Sequence, residues 1–284
     1  METDNFSDSS LHNDQLKKYA QDLAEVYKSE KAKRKELQVA KEQLLIYADD
    51  LKNTILDLKG AHKETQEAYL DTIFRLVLVA EYKDEDTGDH IKRMSLYSVL
   101  IAKKLGLPEK EVQNILYTAP MHDVGKVGIP DSILMKKGQL TKEEFDIIKT
   151  HSAIGAKILS NSKSGIIKTA EQIALTHHEK WNGKGYPQGL SGKKIPLVGR
   201  IVCLADAFDA LTAKRPYKGS YPIEVACEII KKERGKQFDP DVADVFLENI
   251  DEVLKIEAEV SVTEDVSLSD FVRSERDRLE KKVK

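Results

Sequence analysis

The chain has 284 residues, 40% of them hydrophobic and 33% charged, with a formal net charge of −3 at pH 7. That apolar content can bury one substantial core, but the longest apolar runs, Leu76–Ala80 and Ile201–Ala205, fall far short of the roughly 18 residues of a spanning helix, which excludes a membrane-embedded fold. With no global basic field, charge disfavours long nucleic acid as a partner.

In chain order, METDNFSDSS is acidic and polar where a secretory signal carries a basic end and an apolar stretch, and residues 1–15 are expected to be disordered. A cytoplasmic protein is expected. From Leu16 to about Thr72 the chain has few breakers and is rich in Lys, Glu, Gln, Leu and Ala, the strong helix formers. A 3,4 repeat runs through Leu16, Tyr19, Leu23, Val26, Glu30, Lys33, Leu37, Ala40, Leu44, Tyr47, Leu51, Thr54 and Leu58, then fades into Ala61, Thr65 and Ala68. The spacing predicts a coiled-coil helix over residues 16–68, about 85 Å long, pairing as a parallel homodimer; a solvated single helix is the alternative. Residues 1–15 are too few for a sensory domain, so the input is expected through this helix or a bound partner.

Over residues 69–250 the pattern changes to shorter apolar-periodic segments punctuated by Gly and Pro. Helices are predicted over 70–82, 89–105, 109–121, 141–159, 166–179, 196–214, 222–234 and 240–249. Strict apolar/polar alternation is almost absent, so no sheet is expected and the fold class is all-α. Gly155, four residues after His151, is read as permitting close helix packing. Residues 251–284 are read as a charged, loosely held tail with a short helix near Asp270–Lys281. Cys203 and Cys227 lie in apolar sequence without CxxC spacing and are read as reduced thiols.

Of seven histidines, His12 and His62 sit on the polar background of the helical arm. The other five each have a carboxylate or a loop signal nearby: "DEDTGDH" ends at His90, "MHDVGKVGIPD" holds His122 and Asp123, "THSAIG" holds His151, and "LTHHEKWNGKGYP" holds His177 and His178; "LADAFDALT" adds Asp206. Successive helical side chains diverge by about 100°, so one packing face cannot take both His177 and His178. Five imidazoles with several acids in one core each need a partner, and imidazole nitrogen with carboxylate oxygen is a metal-binding set.

His122-Asp123 followed by Val-Gly-Lys126 resembles the signature of the HD superfamily of metal-dependent phosphohydrolases. "HDVGKVGIPDSIL", "HHEKWNGKGYP" and "DAFDALTAKRPYK" occur in that order and together resemble the HD-GYP subfamily over residues 70–250. The resemblance implies an HD-superfamily helical bundle over residues 69–250 that hydrolyses cyclic di-GMP to pGpG, and onward to GMP, through a metal-bridging hydroxide. It implies His90, His122, Asp123 and Asp206 as ligands of the shared site, with Asp123 bridging to a second ion that His151 and His177 also hold. His178 matches an extra histidine used in larger clusters. Asp86, four residues before His90, stands where three-metal members carry an acid, often Glu; the shorter Asp leaves the count at two or three divalent transition-metal ions. Fe and Mn lead, with Zn and Ni also suited to mixed His and carboxylate donors.

A phosphodiester is anionic, so its hydrolysis needs charge neutralisation and a nucleophile formed near neutral pH, and two cations about 3.5–4 Å apart supply both. Asp123 would set their separation. Lys126, three residues on and on the same helix, would meet the charge growing on phosphate. Arg215 and Lys218 match family positions that contact substrate phosphates. Asn182, Gly183, Gly185, Tyr186 and Pro187 would form a loop over the cleft, with Tyr186 against guanine or phosphate, or packed within the loop. Trp181 is read as packing. A hydrolase of another cyclic dinucleotide, such as cyclic GMP-AMP, or a non-catalytic receptor or scaffold that binds the dinucleotide or a diguanylate cyclase and signals through its coiled coil, stands as the alternative.

Overall fold

The computed structural model describes residues 5–81, 83, 88–213, 220–262 and 267–281. Eleven α-helices follow one another among them: α1 (Asn5–Glu81), α2 (Gly88–Lys104), α3 (Glu109–Thr118), α4 (Asp131–Leu134), α5 (Lys142–Leu159), α6 (Gly165–Thr176), α7 (Leu197–Thr212), α8 (Ile223–Glu233), α9 (Pro240–Glu248), α10 (Ile250–Val262) and α11 (Leu268–Lys281). Short 3-10 turns occupy Ala119–Met121, Val124–Gly128 and Gly192–Lys194. No strand forms among the described residues, and pairing is limited to the isolated bridges Asn182–Ser191 and Arg234–Phe238. The all-α expectation holds, with a long N-terminal helix leading the chain.

The chain divides into two units, residues 1–67 and 68–284. In the first, the described side chains are solvent-facing, including Leu16, Leu23, Leu37, Leu44, Leu51 and Leu58. The apolar stripe of the heptads is therefore open along the single chain. Helix α1 begins at Asn5, inside the stretch expected to be disordered. Between Asn5 and Leu16 there is neither Gly nor Pro, so nothing in the backbone stops the helix from extending.

The second unit is built on amphipathic spacing. Helix α2 buries Ile91, Met94, Ser95, Ser98 and Ala102, the i, i+3, i+4, i+7 and i+11 face of a helix. Tyr97, Phe208 and Phe246 meet edge to face, with centroids 4.8–6.5 Å apart, and join α2, α7 and α9. Leu70, Phe74 and Val77 bury the core-facing side of α1, while Leu76 and Val79 on the same helix stay exposed. Helix α5 starts at a capping box, in which Thr141 accepts from the Glu144 amide and Glu144 accepts from the Thr141 amide.

Two expectations are corrected. Residues 109–121 do not form one α-helix with Lys126 and Asp123 on a continuation of it; α3 ends at Thr118 and the chain tightens into two 3-10 turns. Pro120 lacks an N–H to donate, and Gly125 and Gly128 weaken any longer α-helix. The C-terminal segment, in turn, is not a loose tail. Val253 and Val260 of α10 and Leu268, Phe271, Val272 and Leu279 of α11 are all buried in the core. Heavy charge on their outer faces hides these few, correctly spaced apolar positions from a composition-based reading. We expect Phe271→Ala to lower the unfolding free energy by about 3 kcal/mol, measured as a reduced denaturant midpoint with unchanged slope; a solvated tail would show no change.

Candidate metal centre

Five histidines and two aspartates converge from separate parts of the second unit. His90 stands in the first turn of α2, and His122 and Asp123 lie between the two 3-10 turns. Helix α5 contributes His151, the C-cap of α6 is His177 with His178 following, and α7 contributes Asp206. Their ligand atoms gather in two groups, His90 with His122 and Asp206, and Asp123 with His151, His177 and His178, each within 4.8 Å.

Asp123 lies between the groups. Its Oδ2 is 3.2 Å from His122 Nε2, and its Oδ1 is 3.1 Å from His151 Nε2 and 3.3 Å from His177 Nε2. On the other side, Asp206 Oδ1 is 3.7 Å from His90 Nε2 and 4.0 Å from His122 Nε2. Lys126 Nζ reaches Asp123 Oδ2 at 2.7 Å, the 3-10 turn placing side chains at i and i+3 over one another.

The histidine tautomers follow from their second nitrogens. Nδ1 of His122 faces the Ala119 carbonyl at 3.0 Å, that of His151 faces Ile148 O at 2.7 Å, and that of His177 faces Ile173 O at 3.0 Å. A carbonyl oxygen only accepts, so Nδ1 carries the proton and Nε2 of each neutral ring turns a lone pair inward. Nε2 of His151 and His177 then sit 3.4 Å apart, both beside Asp123 Oδ1, which is buried without a hydrogen-bond donor. Lone pairs facing lone pairs in a buried site favour a cation between them, and imidazole with carboxylate suits a divalent transition metal. The residues present therefore fit bound metal.

Charge reinforces this state. Burial pushes the Asp123 carboxyl up, but the charges around it, the Lys126 ammonium foremost, outweigh it and hold it well below the usual carboxylate range. Burial first, then the neighbouring His177, drives His178 well below the ordinary histidine value, which keeps it neutral.

Three residues that the motifs did not single out hold this set in place. Asp209, one turn after Asp206 on α7 and fully buried, accepts from His90 Nδ1 at 2.7 Å and from Arg93 Nε and Nη2 at 2.6 and 3.0 Å. This orients His90 so that Nε2 faces Asp206. The second Asp of "DAFDALT", three residues after the first, was the available signal. Glu179, buried directly after the paired histidines, accepts from the amides of Gln188 at 2.7 Å and Leu190 at 2.9 Å and so ties down the glycine-rich loop.

Close approach explains the glycines. A Cβ on Gly125 would overlap the His151 carbonyl, and one on Gly185 would run into the backbone of Glu179 and Lys180. A Cβ on Gly155 would crowd Ala174 of α6 and the Gly125 amide, both 3.2 Å away, so the glycine permits the close helix packing expected from the sequence. The Tyr186 amide donates a hydrogen bond to the His178 carbonyl (3.2 Å), and the Tyr186 ring lies 4.8 Å from the His178 ring at 35°. Trp181 faces the guanidinium of Arg200, 5.8 Å away, in a packing role. Asp86, Arg215 and Lys218 lie outside the described residues. Asp209→Asn should weaken metal binding about 10–100-fold with the helical content intact, read by titration of metal-free protein; undiminished affinity would leave Asp209 a packing group only.

The HD domain family matches residues 77–242 of the chain. A cyclic di-GMP phosphodiesterase of Thermotoga maritima is 43% identical over 205 residues, covering 71% of this chain and 56% of the relative. A 3'3'-cGAMP-specific phosphodiesterase of Vibrio cholerae is 41% identical over 206 residues, covering 72% of this chain and 38% of the relative. The chain thus spans about half the length of the curated relatives it matches or less. The crystal structure of a cyclic GMP-AMP specific phosphodiesterase of V. cholerae shares the fold, with a TM-score of 0.50 and 22% identity over 70% of this chain and 52% of that one. The match over residues 77–242, more than half of the chain, establishes it as a member of the HD domain family.

Proposed function

We propose that the chain is a metal-dependent phosphodiesterase that opens cyclic di-GMP to pGpG, with GMP as the product of a second cleavage. Water is consumed, one P–O3′ bond breaks, and a 3′-hydroxyl and a 5′-phosphomonoester form. The observation that carries this reading is the single carboxylate of Asp123, set between two donor groups and touched by Lys126. It is supported by the 43% identity to a cyclic di-GMP phosphodiesterase.

Two divalent ions, when bound by His90, His122 and Asp206 and by His151, His177 and His178 with Asp123 shared, supply Lewis acidity and neutralise the phosphate. Fe or Mn is the metal pair we favour, with Zn or Ni also suited; Asp86 is the residue that would complete a third site. Asp123 stays ionised beneath Lys126 and so holds negative charge at the centre of the site. Lys126, its ammonium held on Asp123, places positive charge beside the phosphate oxygen where charge grows during attack. Tyr186, stacked on His178, forms a flat wall for a purine, and Arg215 and Lys218 would grip the second phosphate.

The relative named for 3'3'-cGAMP favours a second reading in which the mixed dinucleotide is the substrate. The apolar stripe exposed on α1 supports a parallel homodimer, through which an upstream partner or a diguanylate cyclase would signal. No helix among the described residues is long and apolar enough to cross a membrane, and we place the protein in the cytoplasm.

Metal-loaded protein incubated with each cyclic dinucleotide should yield pGpG from cyclic di-GMP at the higher rate, read by chromatography; faster turnover of cyclic GMP-AMP would transfer the assignment to the second reading. Asp123→Ala should lower kcat by at least about 10²-fold with the circular dichroism unchanged, and normal turnover would refute its bridging role. Sedimentation at micromolar concentration should give a dimer, and a monomer would rule out the paired helix.

A further inference from the structure

We propose that Lys83, just beyond the end of α1, is a positioning residue for Lys126. The proposal rests on the phosphodiesterase reading above and adds a residue outside the donor set. The Lys83 ammonium has three hydrogens and meets three acceptors: the Val127 carbonyl at 3.2 Å, the Ile129 carbonyl at 3.3 Å and Asp131 Oδ1 at 3.0 Å. All three follow Lys126 in one short stretch of chain.

That stretch leaves the 3-10 turn through carbonyls that no later helical turn takes up. The turn Val124–Gly128 closes through Lys126 N to Asp123 O at 2.9 Å and Ile129 N to Lys126 O at 3.0 Å. Carbonyls at the C-terminal end of so short a helix have no helical donor, and a cation placed on them is favourable. The same turn meets α5 at Gly125, where only a hydrogen fits against the His151 carbonyl. The backbone bearing Lys126 is therefore packed on α5, Gly125 against His151 and Gly155 and Gly128 against Ile154, while Lys83 holds the carbonyls at its exit. The Lys83 side chain is only 31% exposed, so solvent screens the interaction incompletely.

Lys126 Nζ must stay within hydrogen-bonding distance of Asp123 and still face the substrate phosphate. A displacement of about 1 Å at a reacting centre costs up to ~10²-fold in rate. No donor group contacts Lys83 in the bonds described above, so its loss should change the aim of Lys126 and leave metal and substrate binding in place.

Lys83→Met keeps the apolar stem and removes the ammonium. In the metal-loaded full chain we expect kcat to fall about tenfold, with KM for cyclic di-GMP and metal content per chain within about twofold of the parent. Hydrogen exchange at the amides of residues 126–129 should quicken. Lys83→Arg, still able to donate to both carbonyls and the carboxylate, should recover most of the rate and of the protection. Unchanged kcat in Lys83→Met overturns the proposal, as does a loss in which KM and metal content worsen together. A parent chain that hydrolyses no cyclic dinucleotide would defeat the phosphodiesterase reading instead; exchange at residues 126–129 would then decide by itself whether Lys83 holds the turn.

Discussion

The second unit is organised around an electrostatic requirement: neutral imidazoles and carboxylates that offer only lone pairs have been packed together out of water. The backbone carbonyls of Ala119, Ile148 and Ile173 enforce this by taking the Nδ1 protons, which leaves Nε2 of three rings aimed at Asp123. Left without cations, such a cluster is a local destabilisation of the core. Filled, it would cross-link α2, α5, α6, α7 and the segment between the two 3-10 turns, each of which brings a candidate donor.

Around the donors stands a layer whose task is orientation. The buried Asp209 and the partly buried Arg93 form a pair that holds His90 from behind, and burial of the carboxylate strengthens the consequence of losing its partner. Glu179 does the equivalent for the loop, spending both carboxylate oxygens on the amides of Gln188 and Leu190. Close backbone contacts at Gly125 and Gly185 permit these approaches, so the precision of the centre comes from main-chain packing as much as from the ligating side chains.

Helix α1 carries two apolar faces that serve different purposes. Leu70, Phe74 and Val77 anchor its end in the core, whereas the heptad positions from Leu16 to Leu58 bury nothing within the single chain. An unpaired stripe of that length is costly in water and suited to a second helix. Lys83 follows the anchored end and donates to the Val127 and Ile129 carbonyls at the turn that bears Lys126.

Much of this was legible in the sequence because it depends on short-range pattern. Periodicity located most of the helices, and the spacing of His90, His122, Asp123, His151, His177, His178 and Asp206, with the motifs around them, marked residues whose ligand atoms the fold gathers in two groups, each within 4.8 Å. The limits of that legibility have physical causes. Asp209, Arg93 and Glu179 are charged residues whose burial is decided by neighbours distant in the chain, and α10 and α11 carry too few apolar positions to stand out until the core receives them. The 3-10 turns at His122 and Asp123 replaced an expected α-helix because tertiary contact with α5 rewards the tighter winding. Local sequence, then, determined which groups could bind metal and where helices could form; only the packed tertiary structure decided which nitrogen of each ring faces inward, since that choice is made by the acceptor the fold places at the other one.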